Sequence, residues 1–198
     1  LSVAEGDAEP LTLLAPAPPV LRFGGITVTP PPGAFLQATR ESEAVLQHAV
    51  ADILGDAARV IDLFAGCGTL SLPRLDRLSR LTAVESDAAA LAAMKAAVDS
   101  AGRGAQLECI EADLMRAPLT ADIFAGVDAV IIDPPRAGAA AQCEILAATS
   151  VPAIAMVSCS PPSFARDAAS LVAGGYRMSG LQVIDQFRFS SHVELVAG

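Results

Sequence analysis

The sequence predicts one doubly wound α/β domain with a mostly parallel sheet, and three observations support this prediction. Short apolar runs alternate with helical patterns from residue 60 onward, as in successive β-α units. The first run leads into a glycine-rich strand-to-helix turn at residues 62–69 (DLFAGCGT). The last two apolar runs have no helix between them, which predicts an antiparallel pair at the C terminus. A length of 198 residues suits a single domain.

The N-terminal part of the chain differs in composition from the rest. Residues 1–19 are rich in alanine, proline and acidic residues and show no periodicity. We therefore predict that residues 1–33 are a linker or the remnant of a preceding domain, and that residues 34–198 form the main domain.

The individual elements follow from the spacing of apolar residues and from the positions of glycine and proline. Apolar side chains recur at helical spacing over residues 41–54, and Gly55 is expected to end that helix. Pro73 restricts the helix after the glycine-rich turn, because proline is tolerated in the first turn of a helix. The predicted strands cover residues 21–29, 60–64, 81–84, 106–110, 129–132, 153–157, 176–185 and 193–196, and the further helices cover residues 70–78, 88–101, 139–148 and 164–173.

Composition excludes several classes of protein. Hydrophobic residues make up 53% of the chain and charged residues 18%, so a core can form. A net charge of −9 argues against nucleic-acid binding by this segment alone, since phosphate contacts need clustered lysine and arginine. No apolar run approaches the roughly 20 residues of a membrane span. The four cysteines are scattered without metal-ligand spacing, which predicts no metal site in this segment and a reducing, cytoplasmic location.

The glycine-rich turn predicts a nucleotide-like ligand. Gly66 and Gly68 let the backbone turn tightly and approach a ligand closely. The spacing is not GxGxxG and no P-loop lysine follows, so S-adenosylmethionine is favoured over a dinucleotide or a triphosphate. An ordinary strand-to-helix turn is the alternative interpretation.

Acidic residues follow the next two predicted strands. Glu85 ends the second strand, where a carboxylate can accept both ribose hydroxyls. Asp113 follows the third strand, where it can receive the adenine amino group. A strand-end surface charge and a helix N-cap are the respective alternatives, but two such residues in register favour a ligand site.

A second set of residues predicts chemistry at the same edge. Asp133 begins a rigid DPPRAG loop that can hold a planar base, and Cys159 ends the next strand and opens into the same cleft. Glu194 lies among apolar residues, which raise the pKa of a carboxyl group and suit it to accept a proton. An outward-facing glutamate on an edge strand is the alternative. Arg166 and Asp167 are predicted to lie on a solvated helix face.

These residue types match the needs of carbon methylation on a pyrimidine. Carbon 5 of a pyrimidine is a weak nucleophile, and a thiolate that adds to carbon 6 creates an enolate that activates it. A base must then remove the carbon 5 proton so that the thiolate can leave. Cys159 and Glu194 are the candidates for the two roles.

Six motifs, in order and similarly spaced, resemble the RNA (uracil-C5)-methyltransferases, which make 5-methyluridine in bacterial tRNA and 23S rRNA. The resemblance implies a Rossmann-like class I methyltransferase sheet, mostly parallel with a C-terminal antiparallel strand, and a catalytic domain over residues 34–198. The motifs are FLQ at 35–37, DLFAGCG at 62–68, DPPRAG at 133–138, SCSP at 158–161, DQF at 185–187 and HVE at 192–194.

The resemblance also implies roles for single residues. Cys159 would be the nucleophile and Glu194 the base, and the residues that would contact S-adenosylmethionine are Gln37, Phe64, Thr69, Glu85, Asp113 and Asp133. Two positions depart from the family pattern, since Ser160 and Thr69 stand where asparagine is usual.

The resemblance implies a partner as well. Members of the family carry N-terminal RNA-binding domains, and some carry an iron-sulfur cluster ahead of the catalytic domain. The substrate would be rRNA or tRNA, gripped mainly by domains absent from this chain.

Three other functions remain open from the sequence. RNA cytosine-C5 methyltransferases also use a cysteine at this strand, but they have a second cysteine where this chain has Pro135 or Arg136. A non-catalytic S-adenosylmethionine-binding module would retain cofactor binding without turnover. A small-molecule methyltransferase would have no use for the cysteine-glutamate pair.

Overall fold

The computed structural model describes residues 2–3, 11–12, 17–186, 190 and 192–198. Phe187, part of one motif behind the family resemblance, lies outside the described residues. The strands are β1 (Ser2–Val3), β2 (Leu11–Thr12), β3 (Leu21–Phe23), β4 (Ile26–Val28), β5 (Arg59–Leu63), β6 (Arg80–Glu85), β7 (Leu107–Glu111), β8 (Ala129–Ile132), β9 (Ala153–Ser158), β10 (Leu181–Ile184) and β11 (Glu194–Ala197). The α-helices are α1 (Arg40–Leu54), α2 (Ala88–Ser100), α3 (Ala140–Ala147) and α4 (Pro161–Ala173), and short 3-10 helices cover Leu72–Arg77, Gly104–Gln106 and Ala121–Phe124.

Seven of the strands form one sheet in the order β10-β11-β9-β8-β5-β6-β7. Strands β5 to β9 pair in parallel, whereas β11 is antiparallel to both β9 and β10. The predicted doubly wound α/β fold with a C-terminal antiparallel strand is therefore confirmed. The final strand inserts between β9 and β10, which the sequence pattern did not predict.

Two layers of apolar side chains cover the sheet, one on each face. Strand β8 shows the division, because Ala129 and Ile131 face one layer while Val130 and Ile132 face the other. Helices α1 and α2 pack on the first face, and α3 and α4 pack on the second. This burial on both faces explains why the strands read as continuous apolar runs instead of alternating patterns.

Capping groups define the helix ends. Thr39 caps α1 by accepting a hydrogen bond from the Ser42 amide at 3.1 Å, and Gly55 ends the helix with a φ of 53°. Asp87 caps α2 by accepting from the amides of Ala89 and Ala90. No helix in the described part of the chain has the length and apolar character needed to cross a membrane.

Two predicted elements are shorter in the structure than in the sequence analysis. The segment after the glycine-rich turn forms a 3-10 helix over Leu72–Arg77 instead of an α-helix over residues 70–78. Pro73 lies at its start and the Ser71 side chain makes no capping bond, so little supports a longer helix there. The predicted strand over residues 176–185 forms only as β10, and the Ser179 amide ahead of it donates a hydrogen bond to the Gly198 carbonyl, which follows β11.

The N-terminal segment contributes to the core of the main domain. Strands β3 and β4 form an antiparallel hairpin, and its side chains Phe23, Ile26 and Val28 are buried in the same apolar layer as α1 and α2. Strands β1 and β2 also pair antiparallel. The division at residue 33 stays a prediction, but the hairpin before it packs on the domain that follows.

Candidate functional site

A cavity of about 490 Å³ opens at the carboxyl edge of the sheet. This is the edge where open α/β sheets bind ligands, and the volume falls within the range of small-molecule sites. The structure brings the sequence-predicted residues together around it, and those that line it are Gln37, Phe64, Gly66, Thr69, Glu85, Asp113, Asp133, Cys159 and Glu194. Gly68 is the predicted residue that does not line the cavity.

The turn after β5 is tight because three of its residues have positive φ angles. Phe64 (φ 62°) is the one non-glycine residue with this conformation among the described residues, and it costs about 1–3 kcal/mol. Gly66 (φ 52°) faces open space, so the backbone can approach a ligand there. Gly68 (φ 84°) lies behind the turn, where a Cβ would come within 2.6 Å of the Leu72 side chain. The role of Gly68 as a cofactor contact stays a prediction, but its packing alone requires glycine.

Glu85 fastens this turn to the end of β6. Its Oε2 accepts a hydrogen bond from the Gly66 amide at 2.9 Å. Its Oε1 accepts from the amides of Ser86 at 2.6 Å and Asp87 at 2.9 Å. The carboxylate is thus held in one orientation at the wall of the cavity, which a mere surface charge would not require.

Asp113 both caps a turn and lines the cavity, so the two interpretations that the sequence left open are compatible. Its Oδ1 accepts from the Met115 amide at 3.0 Å and from the Arg116 amide at 3.3 Å, so the side chain does cap a turn. The residue nevertheless lines the cavity beside Met115, which is 49% exposed. A polar acceptor and an apolar surface therefore lie together where a planar ring could bind.

The DPPRAG loop is held against α4 by a buried carboxylate. Asp167 is 0% exposed and accepts a hydrogen bond from the Ala139 amide at 2.7 Å. Arg166 pairs with Asp167 at 2.7 Å and donates to the Ala137 carbonyl at 2.8 Å. Gly138, with a φ of 78°, leaves the space that these two side chains fill.

The prediction of a solvated helix face is therefore wrong for Asp167, whereas Arg166 is half exposed, as predicted. Asp167 is three residues from Phe164 and four from Leu171, and all three lie on the buried face of α4. The charge of Asp167 led to the prediction of an exposed side chain, although the helical spacing of Phe164 and Leu171 indicated that this face of α4 is buried.

Cys159 and Glu194 lie near each other at the wall of the cavity. Leu195 of β11 pairs with Ser158 of β9, and each of these is the chain neighbour of one of the two residues. Both Cys159 and Glu194 line the cavity, and the Glu194 carboxylate contributes to the raised pKa of the Cys159 thiol. Glu194 is 3% exposed and β11 has a neighbour on both sides. The alternative of an outward-facing glutamate on an edge strand is excluded by this geometry.

The charged groups around Cys159 are mostly acidic, and burial favours their protonated forms. Burial, with the Glu194 and Asp62 carboxylates nearby, raises the pKa of Asp133 to about 8. Burial, with Glu85 nearby, raises the pKa of Asp62 to about 7. Burial also raises the pKa of Glu194, against a hydrogen bond from Gln186. Burial, with the Glu194 and Asp133 carboxylates nearby, raises the pKa of the Cys159 thiol, and Arg136 opposes this rise. A cation bound in the cavity would favour the ionised forms of these groups.

Sequence reasoning missed several residues of the site. Asp62 lines the cavity and its buried Oδ2 has no hydrogen-bond partner among the described residues. A carboxylate inside an apolar strand run is a signal that could have identified it. Gln186 is 7% exposed and bonds to both Gln37 and Glu194; it belongs to the DQF motif, but the sequence analysis gave it no role.

Two families match the chain. Residues 34–158, more than half of the chain, match the family described as conserved hypothetical protein 95. Residues 120–197 match the family described as tRNA (uracil-5-)-methyltransferase.

Curated relatives and solved structures extend this result. An uncharacterized RNA methyltransferase of Rhizobium meliloti is 48% identical over 189 residues, which cover 93% of this chain and 44% of that protein. The 23S rRNA (uracil(1939)-C(5))-methyltransferase RlmD of Chromohalobacter salexigens is 38% identical over 165 residues, with 82% and 34% covered. The structure of the tRNA (uracil-54, C5)-methyltransferase of Pyrococcus abyssi with S-adenosyl-L-homocysteine matches with a TM-score of 0.75 at 26% identity, over 90% of this chain and 43% of that one. The chain spans less than half the length of these proteins.

The strand order and the glycine-rich turn at the carboxyl edge define the class I methyltransferases, whose methyl donor is S-adenosylmethionine. Within that class, the match over residues 34–158 places the chain in the conserved hypothetical protein 95 family. Residues 120–197, the relative RlmD and the Pyrococcus abyssi structure show that the chain is similar to RNA (uracil-C5)-methyltransferases, the family that its motifs resemble.

Proposed function

We propose that this chain is the catalytic domain of an enzyme that methylates carbon 5 of uracil in rRNA or tRNA through a covalent cysteine adduct. One observation carries the proposal: Cys159 and the buried Glu194 line the same cavity, and the Glu194 carboxylate is near enough to raise the pKa of the Cys159 thiol. A methyltransferase that acts on oxygen, nitrogen or a small acidic carbon would need neither a thiol nor a buried carboxylate near it.

The cavity fits S-adenosylmethionine by the chemistry of its walls. Gly66 leaves open space beside the backbone, and Glu85 presents a carboxylate that three amides hold in place. The buried Asp62 Oδ2 is an acceptor without a hydrogen-bond partner in the described part of the chain. When bound, the cofactor supplies an electrophilic methyl group and a positive charge, which favours the ionised forms of the neighbouring acidic groups.

Cys159 acts as the nucleophile and Glu194 as the base. The Cys159 thiol gives its proton to a neighbouring ionised carboxylate, and its sulfur forms a bond to carbon 6 of uracil. The electron pair of the double bond between carbons 5 and 6 is displaced into an enolate, which makes carbon 5 nucleophilic. After the methyl group has been received at carbon 5, Glu194 removes the proton there. The double bond re-forms, the bond from carbon 6 to sulfur breaks, and the thiolate is released. Asp133 and the two prolines after it provide the rigid wall beside the base.

The substrate class rests on the relatives and on charge. RlmD of Chromohalobacter salexigens acts on 23S rRNA, and the Pyrococcus abyssi enzyme acts on tRNA. This chain carries a net charge of −9, and its relatives are more than twice as long. We therefore assign most of the RNA affinity to parts of the protein outside these 198 residues.

Release of tritium from RNA labelled at carbon 5 of uridine tests the reaction. Methylation at that carbon must expel its hydrogen, so the protein with S-adenosylmethionine should release tritium to water in step with methyl transfer. RNA labelled at carbon 5 of cytidine serves as the control. Release from the cytidine label instead would identify a cytosine enzyme, and methyl transfer without any release would disprove carbon 5 as the acceptor.

A further inference from the structure

The segment between β10 and β11 contains a buried amide that connects two parts of the site. Gln186 is 7% exposed, and its Nε2 donates to Gln37 Oε1 at 3.0 Å and to Glu194 Oε1 at 3.2 Å. Gln37 lies before α1 and lines the cavity, and Glu194 begins β11. One side chain thus joins the wall of the cavity to the carboxylate near Cys159.

The Gln186 amide uses its donors but not its acceptor. A glutamine amide has two N–H donors, and both are used by these two acceptors. Its Oε1 is buried and has no hydrogen-bond partner among the described residues. A buried acceptor without a partner is unfavourable, so the arrangement calls for an explanation beyond packing.

The protonation cycle of a base provides that explanation. A carboxylate accepts hydrogen bonds, and the Nε2 of Gln186 serves this form. A carboxylic acid must donate its own hydrogen, and a half-turn of the amide would bring the unpartnered Oε1 to the place where it can accept it. A methionine or leucine at this position could serve neither form.

We propose that Gln186 is a positioning residue that orients Glu194 toward Cys159 and accommodates both of its protonation states. The inference rests on the proposed function, since it takes Glu194 as the base. The contact with Gln37 ties the same amide to the cavity wall, so that the orientation of the base is fixed relative to the bound ligands.

The direction of the effect follows from the donor. Hydrogen-bond donation from Gln186 lowers the pKa of Glu194, against the larger rise that burial causes. Loss of the donor should therefore raise that pKa and move the acidic limb of the rate profile to higher pH. A residue that merely supports the fold would lower the amount of active protein without moving the limb.

The test compares Q186M, which keeps the length of the side chain without its amide, with Q186E, which replaces the amide by a second carboxyl group. Q182M is the matched control, because Gln182 is exposed on β10. Carbon-13 NMR of labelled glutamate, assigned with E194Q, gives the pKa of Glu194 in each protein. We expect a rise of about one pH unit in Q186M and at least as much in Q186E, and no change in Q182M.

Turnover gives a second reading. Release of the methylated product should slow roughly tenfold in Q186M, whereas adduct formation on 5-fluorouridine RNA, which precedes the base step, should persist. An unchanged pKa of Glu194 in both Gln186 variants would overturn the inference. A wild-type protein that neither methylates RNA nor forms the adduct would overturn the proposed function instead, whatever the NMR result.

Discussion

Replacement of Glu85 by glutamine should weaken both the fold and cofactor binding. The wild-type carboxylate accepts from Gly66 on one oxygen and from Ser86 and Asp87 on the other. An amide has one oxygen, so its NH₂ group must face at least one of these backbone donors. Fewer hydrogen bonds are lost if the NH₂ group replaces Oε2, which accepts from Gly66 alone, than if it replaces Oε1, which accepts from both Ser86 and Asp87. We therefore expect the Gly66 amide to be the donor left unpaired in E85Q.

The magnitude follows from this count. One unsatisfied backbone donor costs about 1–3 kcal/mol, and we expect E85Q to lose that much stability in urea titration. S-adenosylmethionine should bind roughly 10- to 100-fold more weakly by calorimetry, since the turn is no longer held and a charged acceptor is lost. E108Q is the control, because Glu108 pairs with Arg80 at the exposed surface of β7 and should change neither property appreciably. Unchanged affinity in a folded E85Q protein would refute the assignment of Glu85 to the site.

Three further predictions address the base, the charge of the cavity and the DPPRAG loop. E194Q should form the adduct with RNA but fail to resolve it, giving a protein-RNA complex that survives denaturant, and normal turnover would contradict the base assignment. The affinity for S-adenosylmethionine should rise between pH 6 and pH 9, because Asp62 and Asp133, with pKa values of about 7 and about 8, become anionic as pH increases and then attract the sulfonium. S-adenosylhomocysteine, which lacks the sulfonium charge, is the control, and equal pH dependence of both in calorimetry would count against this. D167A should lose roughly 3 kcal/mol of stability in urea, which is the low end for a broken buried ion pair because Arg166 is half exposed. The control D99A, which removes an exposed ion pair with Lys95, should lose little. Equal losses in the two variants would show that the contact between Asp167 and the DPPRAG loop is not important.

The sequence predicted most of what depends on local pattern. Apolar runs that end in Glu85 and Asp133 marked the carboxyl edge of a parallel sheet, because strands buried on both faces read as continuous hydrophobic segments. Gly55 and the positive φ angles of Gly66 and Gly68 reflect backbone positions that favour glycine, so these residues marked turns.

What the sequence did not predict depends on contacts between distant segments. The insertion of β11 between β9 and β10 is a choice of pairing partner, and this choice brings Glu194 to the cavity that Cys159 also lines. Burial of the Asp167 carboxylate is offset by a hydrogen bond from the Ala139 amide. That partner lies in another loop, so the sequence of α4 does not indicate it. Gln186 contacts Gln37 across 149 positions of the chain, and no periodicity indicates such a pair.

The central claim is a covalent bond between Cys159 and uracil, and 5-fluorouridine RNA tests it most directly. Fluorine at carbon 5 cannot be removed as a proton, so the adduct accumulates. The protein should be incubated with fluorinated rRNA or tRNA and S-adenosylmethionine, separated under denaturing conditions, digested, and mapped by mass spectrometry. The account predicts a nucleotide attached to the peptide that contains Cys159 and no adduct in C159A, which should still bind S-adenosylmethionine. An adduct on another residue, or methylation of ordinary RNA by C159A at the wild-type rate, would contradict the account.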